Sequence, residues 1–347
     1  MKSEIITLLR QRGDYVSGQE LCERFGVSRT AVWKAVEQLK RDGYVIEAVK
    51  NRGYLLREDT SRVFGYTEIK SRLQSKWTGK DLYYFDSIDS TNLQAKRLAE
   101  EGAPHGTVVV ADRQTAGRGR RGRTWQSPEG KNLYFTILLR PEISPEKASM
   151  LTLVMALAVA DGMRKMIGDD SLSGIGIKWP NDIVMDGKKV CGILTEMSLS
   201  VEMGGISYLV IGTGINILHQ DFPKELQETA TSLEDALQDL QADDGSGRLN
   251  HSCAMNRSML LSAILEAFET YYGLFVEAGD LSSLQEKYDE LLVNRDRQVK
   301  VLDPKGEYEG TARGITKEGE LIVELPDGTI QRVYAGEVSV RGIYGYV

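Results

Sequence analysis

The chain has 347 residues and a formal net charge of −7, a length that suits two or three domains of ordinary size. No apolar run reaches the ~18 residues of a membrane span, since the longest, 150–160, is interrupted by Thr152 and ended by Asp161. The N-terminus has no signal-peptide pattern, so no membrane partner and a cytoplasmic protein are expected. Cys22, Cys191 and Cys253 lie far apart, as do His105, His219 and His251, which argues against a zinc site and against a histidine-centred triad.

Charge is uneven along the chain. Positions 1–64 hold 12 Lys and Arg against 9 Asp and Glu, a net of +3, which leaves −10 on the remaining 283 residues. A basic head on an acidic body points the head alone toward a polyanion. Ile5, Ile6, Leu8 and Leu9 have helical spacing that breaks at Gly13-Asp14, and a second short helix is expected over 18–25 with Leu21 inward. Gly26-Val27-Ser28 makes a tight turn, with Ser28 suited to N-cap a third helix running to Arg41. Val32, Ala35, Val36 and Leu39 form that helix's apolar stripe, and residues 44–56 alternate as a hairpin, or wing, turning at Asn51-Arg52-Gly53. In helix-turn-helix geometry the N-terminal end of the later helix meets base edges. Ser28, Arg29, Thr30, Trp33 and Lys34 are therefore the candidate DNA readers, with Lys50 and Arg52 on the wing for phosphates. A small helical domain used for protein contacts or dimerisation is the other reading.

Beyond a connecting stretch near 58–66, the body alternates strands and helices. Strands are expected over 81–88, 107–114, 132–139, 174–178 and 206–217, with a hairpin over 183–194 turning at Asp186-Gly187. An amphipathic helix is expected over 93–102, and Ser144-Pro145 reads as the capped start of a long buried helix. Residues 237–252 are polar and read as a mobile loop, including 243–248; helices follow over 254–272 and 281–291. From Arg297 short strands turn at 304–306, 317–319 and 326–328, the pattern of a small β-barrel. The class is α+β.

Residues 117–123 read Gly-Arg-Gly-Arg-Arg-Gly-Arg. Four neighbouring cations repel unless an anion or partner carboxylates neutralise them, and glycines let backbone N–H groups converge on oxygen atoms. Gly117, Gly119 and Gly122 also satisfy the spacing of a dinucleotide-binding turn. Such a turn must open a helix facing the pyrophosphate, whereas here the chain runs into a second strand at Asn132.

Three further features accompany this loop: Ser90-Thr91-Asn92 at a strand-to-helix turn; Lys178-Trp179-Pro180-Asn181-Asp182; and 189–196 with Gly212-Thr213-Gly214-Ile215-Asn216. With these motifs in this order, the chain resembles biotin-protein ligases over essentially its whole length, and its winged head resembles the bifunctional bacterial type that also represses biotin genes. The resemblance implies a winged helix-turn-helix domain over 1–64, a biotin- and ATP-binding domain with a mixed, mainly antiparallel sheet over 65–294, and a small SH3-like β-barrel over 295–347. It implies formation of biotinyl-5′-AMP from biotin and ATP, then transfer of biotin to a lysine of the biotin carboxyl carrier domain of carboxylases. Operator DNA and a second copy of the chain are the other implied partners, and Mg²⁺ is expected with ATP. A ligase without specific DNA binding, and a lipoate ligase or acyltransferase of related fold, stay open.

The chemistry of the residues agrees with that reaction. The biotin carboxylate is already a nucleophile, so the task is to bring two anions together and neutralise charge building at the α-phosphate. Lys178, opposite in phase to Ile175 and Ile177 and stopped by Pro180, should project from a sheet end as the main electrostatic catalyst. Arg118 is assigned to the biotin carboxylate and then the phosphate, Arg120 and Arg123 to the triphosphate. Arg121 belongs to the adenylate site, to loop folding or to a dimer contact.

By resemblance, Ser90, Thr91, Asn92 and Gln114 line the biotin pocket with Gly117, Arg118, Gly119, Arg120, Lys178 and Gly192. Ser90 and Thr91 can equally be read as helix caps. Trp125 is either core or a stacking surface for adenine, Asn216 offers an amide to the adenine edge, and Lys189 reaches a phosphate or ribose. Gly192 and Gly214 either admit the ligand to the backbone or mark bulges. No carboxylate cluster is seen for the metal; Asp182 is a ligand or a turn cap, and the phosphate oxygens would carry most of the coordination.

Overall fold

The computed structural model describes residues 1–57, 63–168, 174–200, 204–244, 255–303, 306–335 and 339–342. In the head, α1 (Lys2–Arg12) ends on Gly13 in the left-handed conformation, α2 (Gly18–Phe25) follows, and α3 (Arg29–Arg41) is capped by Ser28, whose hydroxyl accepts from Ala31 N at 3.3 Å. The wing is β1 (Ile46–Val49) paired antiparallel with β2 (Gly53–Leu56). Ile5, Ile6, Leu9, Leu21, Val36 and Leu39 are fully buried and form a core of the head's own.

The body begins with a helix that sequence periodicity did not reveal, α4 (Tyr66–Arg72), because seven residues with one apolar anchor, Ile69, carry no helical pattern. There follow β3 (Leu82–Ile88), α5 (Thr91–Glu100), β4 (Val108–Gln114), β5 (Leu133–Leu139), α6 (Met150–Ile167), β6 (Ile175–Lys178), β7 (Asp182–Met185), β8 (Lys188–Ser200) and β9 (Gly205–Ile215). The strands make a seven-stranded sheet in the order β3-β4-β5-β9-β8-β7-β6. Only β3 and β4 run parallel; every other pair is antiparallel. The β7–β8 turn has positive φ at both Asp186 and Gly187, the backbone of a two-residue hairpin turn. Beyond the sheet lie α7 (Leu233–Asp244), α8 (Arg257–Ala278) and α9 (Gln285–Leu291).

The sheet is buried on both faces, and this places the site. Phe135, Ile137 and Leu139 of β5 pack under α6 and α8, whereas Leu138 packs with Ala95 and Leu98 of α5 on the opposite face. By length and composition α8 could cross a bilayer; Leu261, Ile264, Leu265 and Phe268 instead bury it in the core beside α6. The last strands, β10 (Gln298–Asp303), β11 (Gly306–Ile315), β12 (Leu321–Glu324), β13 (Ile330–Val333) and β14 (Ser339–Gly342), form a small antiparallel sheet in the order β13-β12-β11-β10-β14.

Several expected boundaries move. Ser144-Pro145 opens only a single 3-10 turn over Pro145–Lys147, with no cap from the Ser144 side chain; i+3 hydrogen bonds continue to Thr152, and α6 starts at Met150. Residues 237–244 are not loop but the end of α7, because Leu233, Ala236 and Leu237 anchor that helix in the core. Residues 245–254, including His251, Cys253 and the remainder of the polar segment, lie outside the described residues, as do 58–62, Pro304, Lys305 and 343–347. Asn256 caps α8 through Met259 N, and α8 runs on to Ala278.

Head and body meet through a buried carboxylate. Glu68 of α4 is fully buried and accepts from Arg10 Nη2 of α1 through both oxygens at 3.0 Å, and also from Arg72 Nε. Arg10 Nη1 reaches Ser71 Oγ at 2.9 Å and Thr7 Oγ1 donates to Ser71 O at 3.0 Å. Removing one partner of a buried ion pair strands the other charge, so Arg10→Ala is expected to lower the unfolding free energy by about 2–4 kcal/mol in urea titrations. Arg12→Ala, which breaks the exposed Arg12–Glu20 pair, is expected to cost less than about 1 kcal/mol.

Candidate functional site

The end of β4 turns into the arginine loop, in which an antiparallel bridge between Arg118 and Thr124 encloses a 3-10 turn over Arg120–Gly122 and no longer helix forms before the chain enters β5 antiparallel to β4. The strand-loop-strand setting excludes a dinucleotide-binding turn. Two adjoining cavities lie beneath the loop. The smaller is lined by Ser90, Thr91, Asn92, Gln114, Arg118 and Gly192 among others, and the larger, about 700 Å³, by Arg121, Arg123, Gln126, Lys178, Asp182 and Asn216 among others. Gly119, Arg120, Trp125, Asn181 and Lys189 line both.

Trp125 sits at the boundary for a geometric reason. Gly192 of β8 stands opposite Gly214 of β9 in the register. A Cβ on Gly214 would lie 2.5 Å from Trp125 Nε1, and one on Gly192 would lie 2.9 Å from Trp125 Cζ3. The two glycines thus mark no bulge here; they seat an indole, and both also line the smaller cavity. Lys189 Nζ lies 5.4 Å from the ring centroid on the way to Asp182 Oδ1 at 2.5 Å, while Trp125 Nε1 is buried with no hydrogen-bond partner among the described residues.

The loop arginines divide by environment. Arg118, Arg121 and Arg123 are exposed, whereas Arg120 is half-buried and bound, donating to Asn181 Oδ1 at 2.9 Å and to Ala335 O in the C-terminal sheet domain at 2.7 Å. Burial lowers the pKa of Arg120, opposed by the charge of Asp182. Gly117 lies under the loop's exit, where a Cβ would stand 2.4 Å from Trp125 O.

Lys178 is only 5% exposed, which excludes the ordinary fate of a strand-end lysine in solvent. The following residues hold the strand end in place: Trp179 is buried, its N donates to Asn294 Oδ1 at 3.0 Å and its Nε1 to Gly319 O at 3.0 Å. Asn216 is buried, with Nδ2 donating to Thr231 O at 3.2 Å.

Ser90 occupies the N-cap position of α5 without capping it, and its backbone N–H turns to Asp89 Oδ1. Thr91 N donates to Gln114 Oε1 at 2.8 Å, and Gln114 Nε2 donates to Ser127 Oγ at 3.0 Å. Sequence reasoning assigned no role to Asn181, although it stands inside the quoted Trp-Pro-Asn-Asp run, and none to Ser127 or Thr136. The segment contributing Phe222, Leu226 and Thr229 to the larger cavity carries no motif that would have announced it.

In the head, Ser28, Arg29, Thr30, Trp33 and Lys34 are all exposed at the start of α3, and Trp33 keeps 55% of its surface. An apolar ring of that size left in solvent supports a binding role. Lys50 and Arg52 are exposed on the wing, with the Arg52 guanidinium 4.2 Å over the Tyr15 ring. Among the described residues no group of His, Cys, Asp and Glu has the arrangement of a metal site. Cys191 is buried and burial raises its thiol pKa, as suits an unreactive thiol.

Residues 84–216 match the Biotin/lipoate A/B protein ligase family, residues 2–55 an HTH domain, and residues 296–341 the Biotin protein ligase C terminal domain. Fold and site therefore define a class, a biotin/lipoate-type protein ligase carrying a winged helix-turn-helix head. The bifunctional ligase/repressor BirA of Bacillus spizizenii is 38% identical over 98% of each chain, and its namesake from Escherichia coli is 31% identical over 97% of this chain and 96% of its own. A biotin protein ligase from Aquifex aeolicus, solved in complex with biotin and ATP, aligns at 30% identity with a TM-score of 0.59, covering 76% of this chain and 99% of its own. The chain belongs to the biotin protein ligase family, in its bifunctional ligase/repressor branch.

Gly214→Ala should displace the indole from its seat. The expected outcome is a shift in Trp125 emission, assigned by comparison with Trp125→Phe, together with about 1–3 kcal/mol of overpacking strain in denaturant titrations. Unchanged emission would remove Trp125 from the boundary between the cavities.

Proposed function

We propose that this protein activates biotin with ATP to biotinyl-5′-AMP, transfers biotin to a carrier-domain lysine, and represses biotin genes in response to the adenylate. The observation that carries the reading is the pair of cavities joined at Trp125 and Lys189, with the arginine loop above both and the buried Lys178 in the larger. Biotin occupies the smaller cavity, with its ureido group toward Ser90, Thr91, Asn92 and Gln114 and its carboxylate toward Arg118. ATP occupies the larger, with its α-phosphate toward Lys178 and its adenine toward Trp125 and Asn216. Lys178 works by charge: shielded from water, its ammonium offsets the negative charge that grows on the α-phosphate as the carboxylate oxygen attacks and pyrophosphate departs. No proton need move in that step.

Arg120 tethers the loop to Asn181 and the C-terminal sheet while lining both cavities, and with Arg118, Arg121 and Arg123 it presents positive charge to the ligand, Arg120 and Arg123 toward the triphosphate. Magnesium would arrive with ATP on phosphate oxygens and water, since Asp182 is already engaged by Lys189. We assign 1–64 to the DNA-binding head, 65–294 to the ligase domain and 295–347 to the C-terminal domain, and place the protein in the cytoplasm. Removing a single preorganised charge of this kind costs about 100–1000-fold in rate. Biotin-dependent pyrophosphate exchange should therefore fall by about that factor in Lys178→Ala, with circular dichroism unchanged, whereas Arg118→Ala should chiefly speed release of the adenylate. A wild-type protein that binds ATP yet shows no exchange would sink the ligase reading.

For the head, Ser28, Arg29, Thr30, Trp33 and Lys34 read operator bases and Lys50 and Arg52 meet phosphates, in a homodimer whose adenylate-bound form is favoured because the ligand orders the arginine loop. Sedimentation and operator titration with and without biotin and ATP are expected to give tighter DNA binding and a larger dimer fraction with both. Equal values in the two states would exclude the coupling.

A further inference from the structure

Beneath the smaller cavity, a short chain of hydrogen bonds runs from the half-buried Lys96 and Glu196 to the buried Asn92, Thr136 and Thr91, and its proton directions are fixed from one end. Asn92 Nδ2 donates to Glu196 Oε2 at 2.8 Å and to Leu194 O at 3.3 Å, and Lys96 Nζ pairs with Glu196 Oε1 at 2.6 Å. A backbone carbonyl and an ion-paired carboxylate only accept, so the amide cannot flip, and its Oδ1 must face the other way. There Thr136 Oγ1 lies 2.7 Å from Asn92 Oδ1 and 2.8 Å from Thr91 Oγ1. Gly212 makes room for this arrangement, since a Cβ there would lie 2.0 Å from Asn92 Oδ1.

By distance alone Thr136 can donate to Asn92 or to Thr91, and Thr91 to Thr136 or to Gln114 Oε1 at 3.1 Å. Each hydroxyl has one proton. Asn92 Oδ1 can only accept and Thr136 is its donor, so the Thr136 proton is committed there. The Thr91 hydroxyl then chooses between Gln114 Oε1 at 3.1 Å and Thr136 Oγ1 at 2.8 Å, and it donates to Thr136, because otherwise two hydroxyl oxygens would face each other at 2.8 Å with no proton between them. Thr91 Oγ1 and Gln114 Oε1 are left as two acceptors with no proton between them, on the wall of the cavity.

We propose that Thr136, fully buried on β5 and outside the cavity lining, is a positioning residue that fixes Thr91 as a hydrogen-bond acceptor and so makes the pocket select a ligand presenting N–H groups. The proposal rests on the reading that biotin, whose ureido ring carries two such groups, occupies this cavity. A ring oxygen in place of an N–H would bring a third acceptor to the same point, and Thr91 could not answer it without breaking the chain.

The test is steady-state kinetics with biotin and with the two cyclic-carbamate analogues, each carrying a ring oxygen in place of one ureido N–H. Wild type should accept biotin and reject at least one analogue by about 100-fold in kcat/KM. Thr136→Val keeps the shape and removes the hydroxyl; it should raise the biotin KM about 10-fold with kcat and the KM for ATP within about threefold, and narrow the analogue discrimination about 10-fold, because Thr91 is released to donate. Thr136→Ser, which keeps the hydroxyl, should restore wild-type discrimination. Wild type accepting both analogues as well as biotin overturns the proposal without any variant, as does a Thr136→Val enzyme that weakens biotin and analogue alike. A wild-type protein that activates no biotin at all overturns the identity of the occupant, and this proposal with it.

Discussion

Gly192 and Gly214 face each other across the β8–β9 pair, and the indole of Trp125 fills the space that two side chains would otherwise occupy. Nearly everything else about the site follows from that seating. The exit of the arginine loop is fixed because Trp125 leaves it, and the boundary between the two cavities is fixed because the ring lies there. Lys189 and Asp182, paired beside the ring, form the rim of the larger cavity. A flat aromatic can be held this close to a sheet only where two neighbouring strands both give up their side chains, and antiparallel register is what brings two glycines opposite one another.

The sheet's double burial imposes a second constraint. With α6 and α8 on one face, polar groups for ligand binding had to come from the face of α5, where Thr91, Asn92, Thr136 and Gly212 meet. Burial there obliges each polar atom to have a partner, and the resulting chain from Glu196 to Thr91 gives the pocket wall a definite hydrogen-bond polarity. The same economy appears at the head, where Glu68 is wholly buried yet held by Arg10 and Arg72, so the contact that unites head and body is ionic and directional. That contact seats α1 against α4.

The arginine loop joins these parts. One of its four arginines is spent on structure, binding Asn181 and Ala335, and three remain exposed over the cavities. The loop is thereby tethered in its middle, with exposed cationic side chains to either side.

Local chemistry was enough to place the Ser28 cap, the Asp186-Gly187 hairpin and the strand-loop-strand setting of the arginines, because each rests on contacts within a few residues of itself. Periodicity likewise placed Lys178 out of phase with Ile175 and Ile177. Sequence alone could not set the end of α7, the delayed start of α6, or α4, whose boundaries are decided by partners far along the chain. Nor could it choose among roles that depend on neighbours: Ser90 at a cap position without capping, Arg120 as a tether, Gly192 and Gly214 as a seat, Thr136 as the director of a proton chain. Those roles belong to the tertiary structure, because a hydrogen bond or a ring's resting place is fixed by which distant atoms fill the remaining space, and residue order within one segment carries no record of them.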